Sequence, residues 1–465
     1  MVHKNVAVHF MLFRSGAILA ALALFFVIVP SPLSAQTEKP LSLTMSQAVR
    51  IAGERNTQVI QAGYATDASQ AAVLAAYGNL MPSLSVSGSW NRNQLDRKFT
   101  YIQNVGYLPI PSVSVSNSFS TGVSTGVTLF NGFANTAGVN EAVSSNLATQ
   151  YSLDRTRQSV AYGVQGAYLN VLRTEQLVRV NAENLTRDSV SLVRSQEANR
   201  VGSVAVSDVY RWEVTVANDQ VLLVQAQNNY AKAKADLLSL LSLDVTKEYV
   251  ISDPSITSEI DTTEFAATNA HYTNFPTLYE SAIEARPDYK GAVASVDAAS
   301  SSVTMARGTY YPSVSFFASQ GLNSQVLNIE ALKANQSLFW GLQVQWNLFD
   351  RLQTNNRIQS AQASYRGAEE QLAQTQRTIQ SDLKKGLLDL DAAEKSYIAS
   401  IKGVRSAELD RKTAAEKYNL GAGTILDLTF ANANYVQAMT NKINAVYTYI
   451  DAKNHLDLIL GTTKY

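Results

Sequence analysis

Five landmarks of this chain occur twice, four of them at one fixed spacing. Pro82 in Leu80-Met81-Pro82-Ser83-Leu84-Ser85 returns as Pro312 in Tyr310-Tyr311-Pro312-Ser313-Val314-Ser315. Phe130, Gly202, Asp208 and Leu241 return as Phe349, Gly421, Asp427 and Leu460, each at an offset of 219 residues. No insertion has accumulated between Phe130 and Leu241 relative to the second copy, so the length of that stretch matters mechanically. A twofold repeat this long specifies a pseudo-symmetric architecture and not a solenoid of short units.

The first residues read as an address. Lys4 and Arg14 form a positive region, and Ala17 to Val29 is an apolar stretch too short for a good membrane span. The run Pro30 to Ala35 then ends in a small residue, so residues 1–35 are expected to be a cleaved export signal with Gln36 near the mature terminus. An uncleaved anchor helix is opposed by the prolines. The chain has no cysteine, which excludes disulfides, cysteine-ligated metal and a lipid on an N-terminal cysteine. Formal net charge is zero, so bulk electrostatics do not point to nucleic acid. No later apolar run suffices for a membrane helix, which leaves any crossing to β-strands.

Strand-like alternation follows each repeated proline. Leu84, Val86 and Trp90 alternate with Ser83, Ser85, Ser87 and Ser89. Phe119, Thr121, Val123, Thr125, Val127 and Leu129 alternate with Ser120, Gly122, Ser124, Gly126 and Thr128. The second copy gives Val314, Phe316 and Ala318 on one face. It then sets Leu338, Trp340, Leu342, Val344, Trp346 and Leu348 against Gly341, Gln343, Gln345 and Asn347. Period two, with one Ser/Gln/Gly face and one apolar face ending in aromatics, fits transmembrane barrel strands. A sandwich strand with one wet face gives the same pattern singly; four matched strands behind an export signal favour the barrel. Trp90, Trp340 and Trp346 are then expected at the membrane interface. Arg92 to Ser118 and Gly321 to Ser337 read as outward hairpin loops. Four strands cannot close a barrel, which needs about eight, so copies of the chain must share one.

Everything else reads as helix. Repeat 1 (36–250) comprises helix 44–80, hairpin 82–130, long helix 131–200 and return helix 203–243. Repeat 2 (251–465) comprises a linker 251–275, helix 277–310, hairpin 312–349, long helix 350–419 and return helix 424–461. Val164, Val171, Val178, Leu185 and Leu192 recur every seven residues, and Leu383, Leu390, Tyr397 and Val404 do so in the second copy. Such heptads predict coiled-coil packing, and a long helix of about 70 residues would run ~105 Å. Thr44-x-x-Gln47 and Thr277-x-x-Glu280 fit capping boxes. The helices are rich in Ala, Ser, Asn and Gln, as in Ala431 to Ala438, which suits a wetted wall better than a dry coil.

No residues assemble into a catalytic pattern. Gly122-Val123-Ser124-Thr125-Gly126 matches a serine elbow formally, but it lies inside an alternating strand where the motif needs a strand-to-helix turn. Gly421-x-Gly423 lacks a third glycine and a preceding strand. His271 and His455 lack metal-ligand spacing. The expectation is a protein that is not an enzyme and has no cofactor or metal.

In order, helix, strand hairpin, long helix, glycine turn and helix, given twice behind an export signal, resemble the TolC-like outer-membrane efflux proteins from Leu41 to Thr462. The specific marks are Pro-Ser-Leu-Ser and Pro-Ser-Val-Ser at the strand entries and Leu-Phe-Asn-Gly and Leu-Phe-Asp-Arg at the exits. Arg200 to Asp208, Tyr418 to Leu428, and Arg286-Pro287-Asp288 add to them. The resemblance implies a mainly α fold with a β-barrel portion: a homotrimer whose 12-stranded outer-membrane barrel continues into a periplasmic α-helical coiled-coil tunnel. It implies a passive channel in the outer membrane of a Gram-negative bacterium. Its partners would be membrane lipid, a periplasmic adaptor and an inner-membrane pump, for efflux or type I secretion.

By the same resemblance, Val201, Gly202, Ser203 and Val204, with Leu420, Gly421, Ala422, Gly423 and Thr424, would dock the adaptor. Asp427, Phe430, Asp208 and Tyr418 would form the gate. Plainer roles stand beside these: glycine turns end helices, and first-turn carboxylates stabilise helix N-termini. The chain departs from the family at Ser203 and Ala422, where leucine is frequent, and at Asn56-Thr57, where Asn-Pro is usual. Gly423 stands in place of a latch arginine, and Phe430 at a position often acidic. The alternative is a trimeric surface coiled-coil protein of structural or adhesive type, which would have dry heptad cores and no strand hairpins.

Overall fold

The computed structural model describes residues 41–465 except 258, 261–264, 266, 267, 269–271 and 273. The export-signal segment 1–35 and His271 lie outside the described residues. In chain order come helices α1 (Met45–Arg55) and α2 (Thr57–Gly78), strands β1 (Ser83–Arg97) and β2 (Ser112–Phe130), and helices α3 (Ala134–Arg200) and α4 (Val206–Leu240). The second copy follows with α5 (Phe275–Ala285), α6 (Pro287–Gly308), β3 (Ser313–Ser324), α7 (Ile329–Ala334), β4 (Gln336–Gln345), α8 (Gln353–Asn419) and α9 (Ile425–Leu460). The predicted order is therefore present twice, with local corrections that each have a physical cause.

The helix expected over 44–80 is two helices broken at Asn56, which sits extended at φ −65°, ψ 130°. Its Oδ1 accepts from Gln58 N–H at 2.9 Å and its Nδ2 donates to Leu240 O at 3.0 Å. A buried side chain thus starts α2 as an N-cap. The helix expected over 277–310 breaks likewise at Arg286, which must stay extended because Pro287 follows. The Arg286 guanidinium is buried; it donates to Asp288 and, from Nη1, to Ile459 O at 3.1 Å. Asparagine in one copy and an Arg-Pro-Asp element in the other produce the same corner. The capping box at Thr44 forms, with Gln47 Oε1 accepting from Thr44 N–H at 3.0 Å. The one at Thr277 does not. Pro276 fits the first turn, so α5 starts at Phe275 and encloses Thr277.

Strands β1, β2, β3 and β4 form one antiparallel sheet in that order. Register puts Leu84, Val86 and Trp90 beside Thr125, Val123 and Phe119. It puts Val314, Phe316 and Ala318 beside Val344, Leu342 and Trp340. One continuous apolar face results, and the serines pair on the other: Ser85 with Ser124 and Ser89 with Ser120, hydroxyl to hydroxyl at 2.7 Å. Three details differ from the sequence expectation. The strands reach further, so the loops shrink to 98–111, which carries a small hairpin of its own, and 325–335, which carries α7. A register shift between Thr128 and Phe130 sets Phe130, not Leu129, opposite Val314. Phe317 and Phe339 pack together on the polar face at 5.4 Å, with Gly341 leaving room beneath Phe317.

Each long helix, α3 and α8, has 67 residues, about 100 Å of rise. Each begins three residues later than expected, because the chain leaves the sheet through two left-handed residues. These are Gly132 and Phe133 in the first copy (φ 64° and 65°) and Arg351 and Leu352 in the second (φ 58° and 65°). Gly132 meets Gly308 so closely that an added Cβ would lie 2.4 Å from the Gly308 carbonyl oxygen. Gly132→Ala should therefore lower the stability of the solubilised protein by about 1–3 kcal/mol. A denaturant midpoint equal to wild type would show that this junction can slide.

The heptads do their expected work. Val164, Val171, Leu383, Leu390 and Tyr397 are buried, and Val178, Leu185, Leu192 and Val404 are half-buried. Helix α3 packs on α4 and α6, and α8 packs on α9 and α6. Helix α6 is thus flanked by both long helices. Its repeat partner α2 packs on α3, and its Tyr64 and Leu74 are exposed. No described helix is long and apolar enough to cross a membrane.

Candidate functional site at the paired helix turns

Both long helices end in the same hydrogen-bonded turn. After α3, Ser203 N–H donates to Ala198 O at 2.8 Å and Gly202 N–H to Asn199 O at 2.9 Å, with Gly202 at φ 78°. After α8, Ala422 N–H donates to Lys417 O at 2.8 Å and Gly421 N–H to Tyr418 O at 3.0 Å, with Gly421 at φ 73°. This double bond pattern with a left-handed glycine satisfies the last helical carbonyls and sends the chain back. Ser203 and Asn199 brace the first turn, donating to Ala198 O and Val204 O at 2.9 Å each. Val201, Gly202, Ser203, Leu420, Gly421, Ala422 and Thr424 are exposed, and Val204 and Gly423 half-buried. A side chain at Gly423 would crowd Lys417 Cβ at 3.0 Å, so the turn favours glycine there.

The return helices start differently. Thr424 and Asp427 form a capping box: Thr424 Oγ1 donates to Asp427 Oδ2 at 2.7 Å, and Asp427 N–H donates to Thr424 Oγ1 at 3.2 Å. Hydrogen bonds from the Thr424 side chain and backbone hold the Asp427 carboxyl below the usual range. Ala205 occupies the matching position in the first copy and offers no such bond, so Asp208 stands in the first turn of α4 without a capping box. Phe430 is 67% exposed. Tyr418 instead turns inward, onto Trp212, Ile425 and Leu428. This apolar cluster also takes Leu192, so both long helices and both return helices meet in it and the two turns are held side by side.

Behind it lies a polar layer. Asn184 Nδ2 donates to Asp219 Oδ1 at 2.8 Å, and Asn432 Nδ2 to Asp188 Oδ1 at 3.1 Å. Arg187 donates to Asn184 and lies 3.5 Å from Asp188. Asp188 and Asp219 are only 2% and 7% exposed. Burial, reinforced by the Asp188 charge, pushes the Asp219 carboxyl up to about 7. The sequence carried a sign of this layer: three residues after Val171, Val178, Leu185 and Leu192 of the α3 heptad stand Thr174, Asn181, Asp188 and Ser195. From Val171 on, the second core position is polar.

The remaining candidates are where the strand and helix patterns put them. Ser124 lies within β2. Trp90 is on β1 and Trp340 on β4; Trp346 follows β4 and donates to Tyr310 O at 3.1 Å. Among the described residues no His, Asp and Glu group could hold a metal ion.

The family model for outer membrane efflux protein matches residues 48–242 and 278–462, once per copy. The chain belongs to that family, whose members are channel proteins and not enzymes. It is 25% identical to protein CyaE of Bordetella pertussis over 303 residues, 63% of this chain and 61% of that one. The chain thus spans about three fifths of CyaE. It is 22% identical to outer membrane protein TolC of Vibrio cholerae over 430 residues, covering 88% of this chain and 89% of TolC. The crystal structure of the Campylobacter jejuni CmeC outer membrane channel superposes with a TM-score of 0.75 at 16% identity, over 90% of this chain and 86% of CmeC. That likeness speaks for the fold.

Proposed function

We propose that three copies of this chain close a 12-stranded barrel across the outer membrane and continue it as a helical tunnel. The tunnel passively passes substrates from a periplasmic adaptor and an inner-membrane pump to the exterior. The observation that carries this is the open four-stranded sheet, apolar on one face, with β1 and β4 as free edges. Lipid cannot satisfy those edges, so they need partners. The repeat supplies the geometry of the join. Helix α6 fits between two long helices within one chain, and α2, its counterpart, has a long-helix place to fill from the next copy. Purified protein should run as a trimer in detergent and conduct ions in planar bilayers; a non-conducting monomer would refute the proposal.

Val201 to Val204 and Leu420 to Thr424, at the exposed turns, are the docking points for adaptor hairpins. Three copies of Asp427 near the symmetry axis would make a carboxylate ring that favours cations. Phe430, one turn on, would add an apolar ring. Asp208 and Tyr418 of neighbouring copies would latch the mouth, more weakly than in relatives with an arginine at the Gly423 position. Asp427→Asn should reduce cation preference and Phe430→Ala should raise single-channel conductance. If neither quantity changes, Asp427 is a helix cap and nothing more.

A further inference from the structure

Asn184, Arg187 and Asp188 of α3, Asp219 of α4, Arg411 of α8 and Asn432 of α9 meet about 18 Å short of the end of α3. Their donors and acceptors do not balance. The Asp188 and Asp219 carboxyls are neighbours in this layer and act on each other's titration. They can hydrogen-bond to each other only if one carries a proton, because an ionised carboxylate has none to donate. Asp188 already accepts from Asn432 and faces Arg187. Asp219 receives Asn184 on Oδ1, but its Oδ2 finds no N–H or O–H donor. The assignment follows: Asp188 is the carboxylate, and Asp219 is the acid that donates to it.

We infer that this pair is a proton-operated clasp on the helices that carry the two turns. With its proton, Asp219 ties α4 to Asp188 of α3, which Asn432 ties in turn to α9. Without it, two negative charges face each other in a buried site and drive α3 and α4 apart. The charged groups facing the pair are Arg187 from α3 and Arg411 from α8. They do not cancel the repulsion. Arg187 donates to Asn184 and lies 3.5 Å from Asp188, and Arg411 lies 4.9 Å over the ring of Tyr435 of α9; the Nε–H of each is buried without a hydrogen-bond partner, so neither Nε donates to Asp219. Helix α9 otherwise presents the neutral Asn432.

The sign follows from linkage. A solvated aspartate releases its proton near 4, whereas packed Asp219 keeps it to about 7. The packed state is fully favoured below the lower value, loses ground as pH rises between the two, and loses no more once both states are ionised. Between about pH 5.5 and 7.5 the opening constant should rise by on the order of 20-fold.

The clasp is a property of one chain's packing and is independent of what the channel carries. Its test is hydrogen exchange on the full detergent-solubilised protein, corrected for intrinsic rates, over residues 184–195 and 209–222. Wild type should lose protection between about pH 5.5 and 7.5. Asp219→Asn, whose amide still donates to Asp188 but does not titrate, should stay protected at both. Infrared spectra near pH 6 should show a protonated-carboxyl stretch that Asp219→Asn lacks. Equal pH dependence in wild type and variant, or no such band in wild type, overturns the inference. Should Asp219→Asn fail to assemble, Asp188→Asn removes the neighbouring charge and must shift the pH dependence downward; an unshifted profile is equally fatal.

Discussion

Ala422→Arg should cut export by about tenfold or more while leaving the assembled protein in the membrane. The turn contributes its backbone to the fold and its side chain to the surroundings. Ala422 N–H closes the end of α8 on Lys417 O, and the residue itself is exposed. An arginine there keeps every hydrogen bond of the turn, so the fold has no reason to fail. A bulky charge forced into a docking contact that buries a methyl group is another matter, since loss of about 1.4 kcal/mol already means tenfold in affinity. Ser203→Arg should act alike, with a small added cost because Ser203 Oγ donates to Ala198 O. The measurement pairs an export assay with native gels of the membrane fraction. Full export from Ala422→Arg cells, or cysteine probes at 203 and 422 that never crosslink to an adaptor, would remove the turns from the docking surface.

Substitutions in β4 should separate its two faces. Leu342 and Val344 are 65% and 67% exposed in the single chain, opposite Phe316 and Val314 on the apolar face. Arginine at either should cost about 2–4 kcal/mol per chain near the bilayer midplane. The proposed threefold assembly would repeat the penalty in every subunit, so barrel formation should fail outright. Gln343 is paired with Ser315 on the other face. Gln343→Arg should therefore assemble almost normally and alter only conduction. Heat-modified gel mobility reads assembly directly. Similar yields of trimer from Val344→Arg and Gln343→Arg would mean that the sheet does not face lipid as assigned.

The architecture was legible because its signals are periodic. Alternation at Leu338 to Val344 and the valine-leucine heptad of α3 survive without knowledge of neighbours, since period two and period seven are set by backbone geometry alone. The turns were legible for a similar reason: a left-handed residue after a long helix calls for glycine, and Gly202 and Gly421 supply it. Breaks were harder. Asn56 ends one helix by a side-chain bond to a carbonyl 184 residues away, which no local pattern displays. Tyr418, a gate position by family resemblance, packs in the single chain against Trp212, Ile425 and Leu428, surroundings that no local pattern displays. The acid pair was missed because Asp188 and Asp219 belong to different helices; each alone reads as a surface charge on a polar stripe.

The two hairpins are unequal, and in the proposed trimer that difference would shape the outer mouth. The first uses strands of 15 and 19 residues, the second strands of 12 and 10. At about 3.3 Å per residue and a tilt near 45°, the longest rises roughly 45 Å and β3 roughly 28 Å, against an apolar band of about 25 Å. In the proposed trimer, three tall ribbons would alternate with three low notches around the rim. A large particle arriving from outside would strike the ribbon tips, where Tyr101 and Tyr107 pack edge to face at 5.1 Å, well before it reached α7 in the notch. Pressure from outside the cell would then fall on 98–111 and spare the second hairpin.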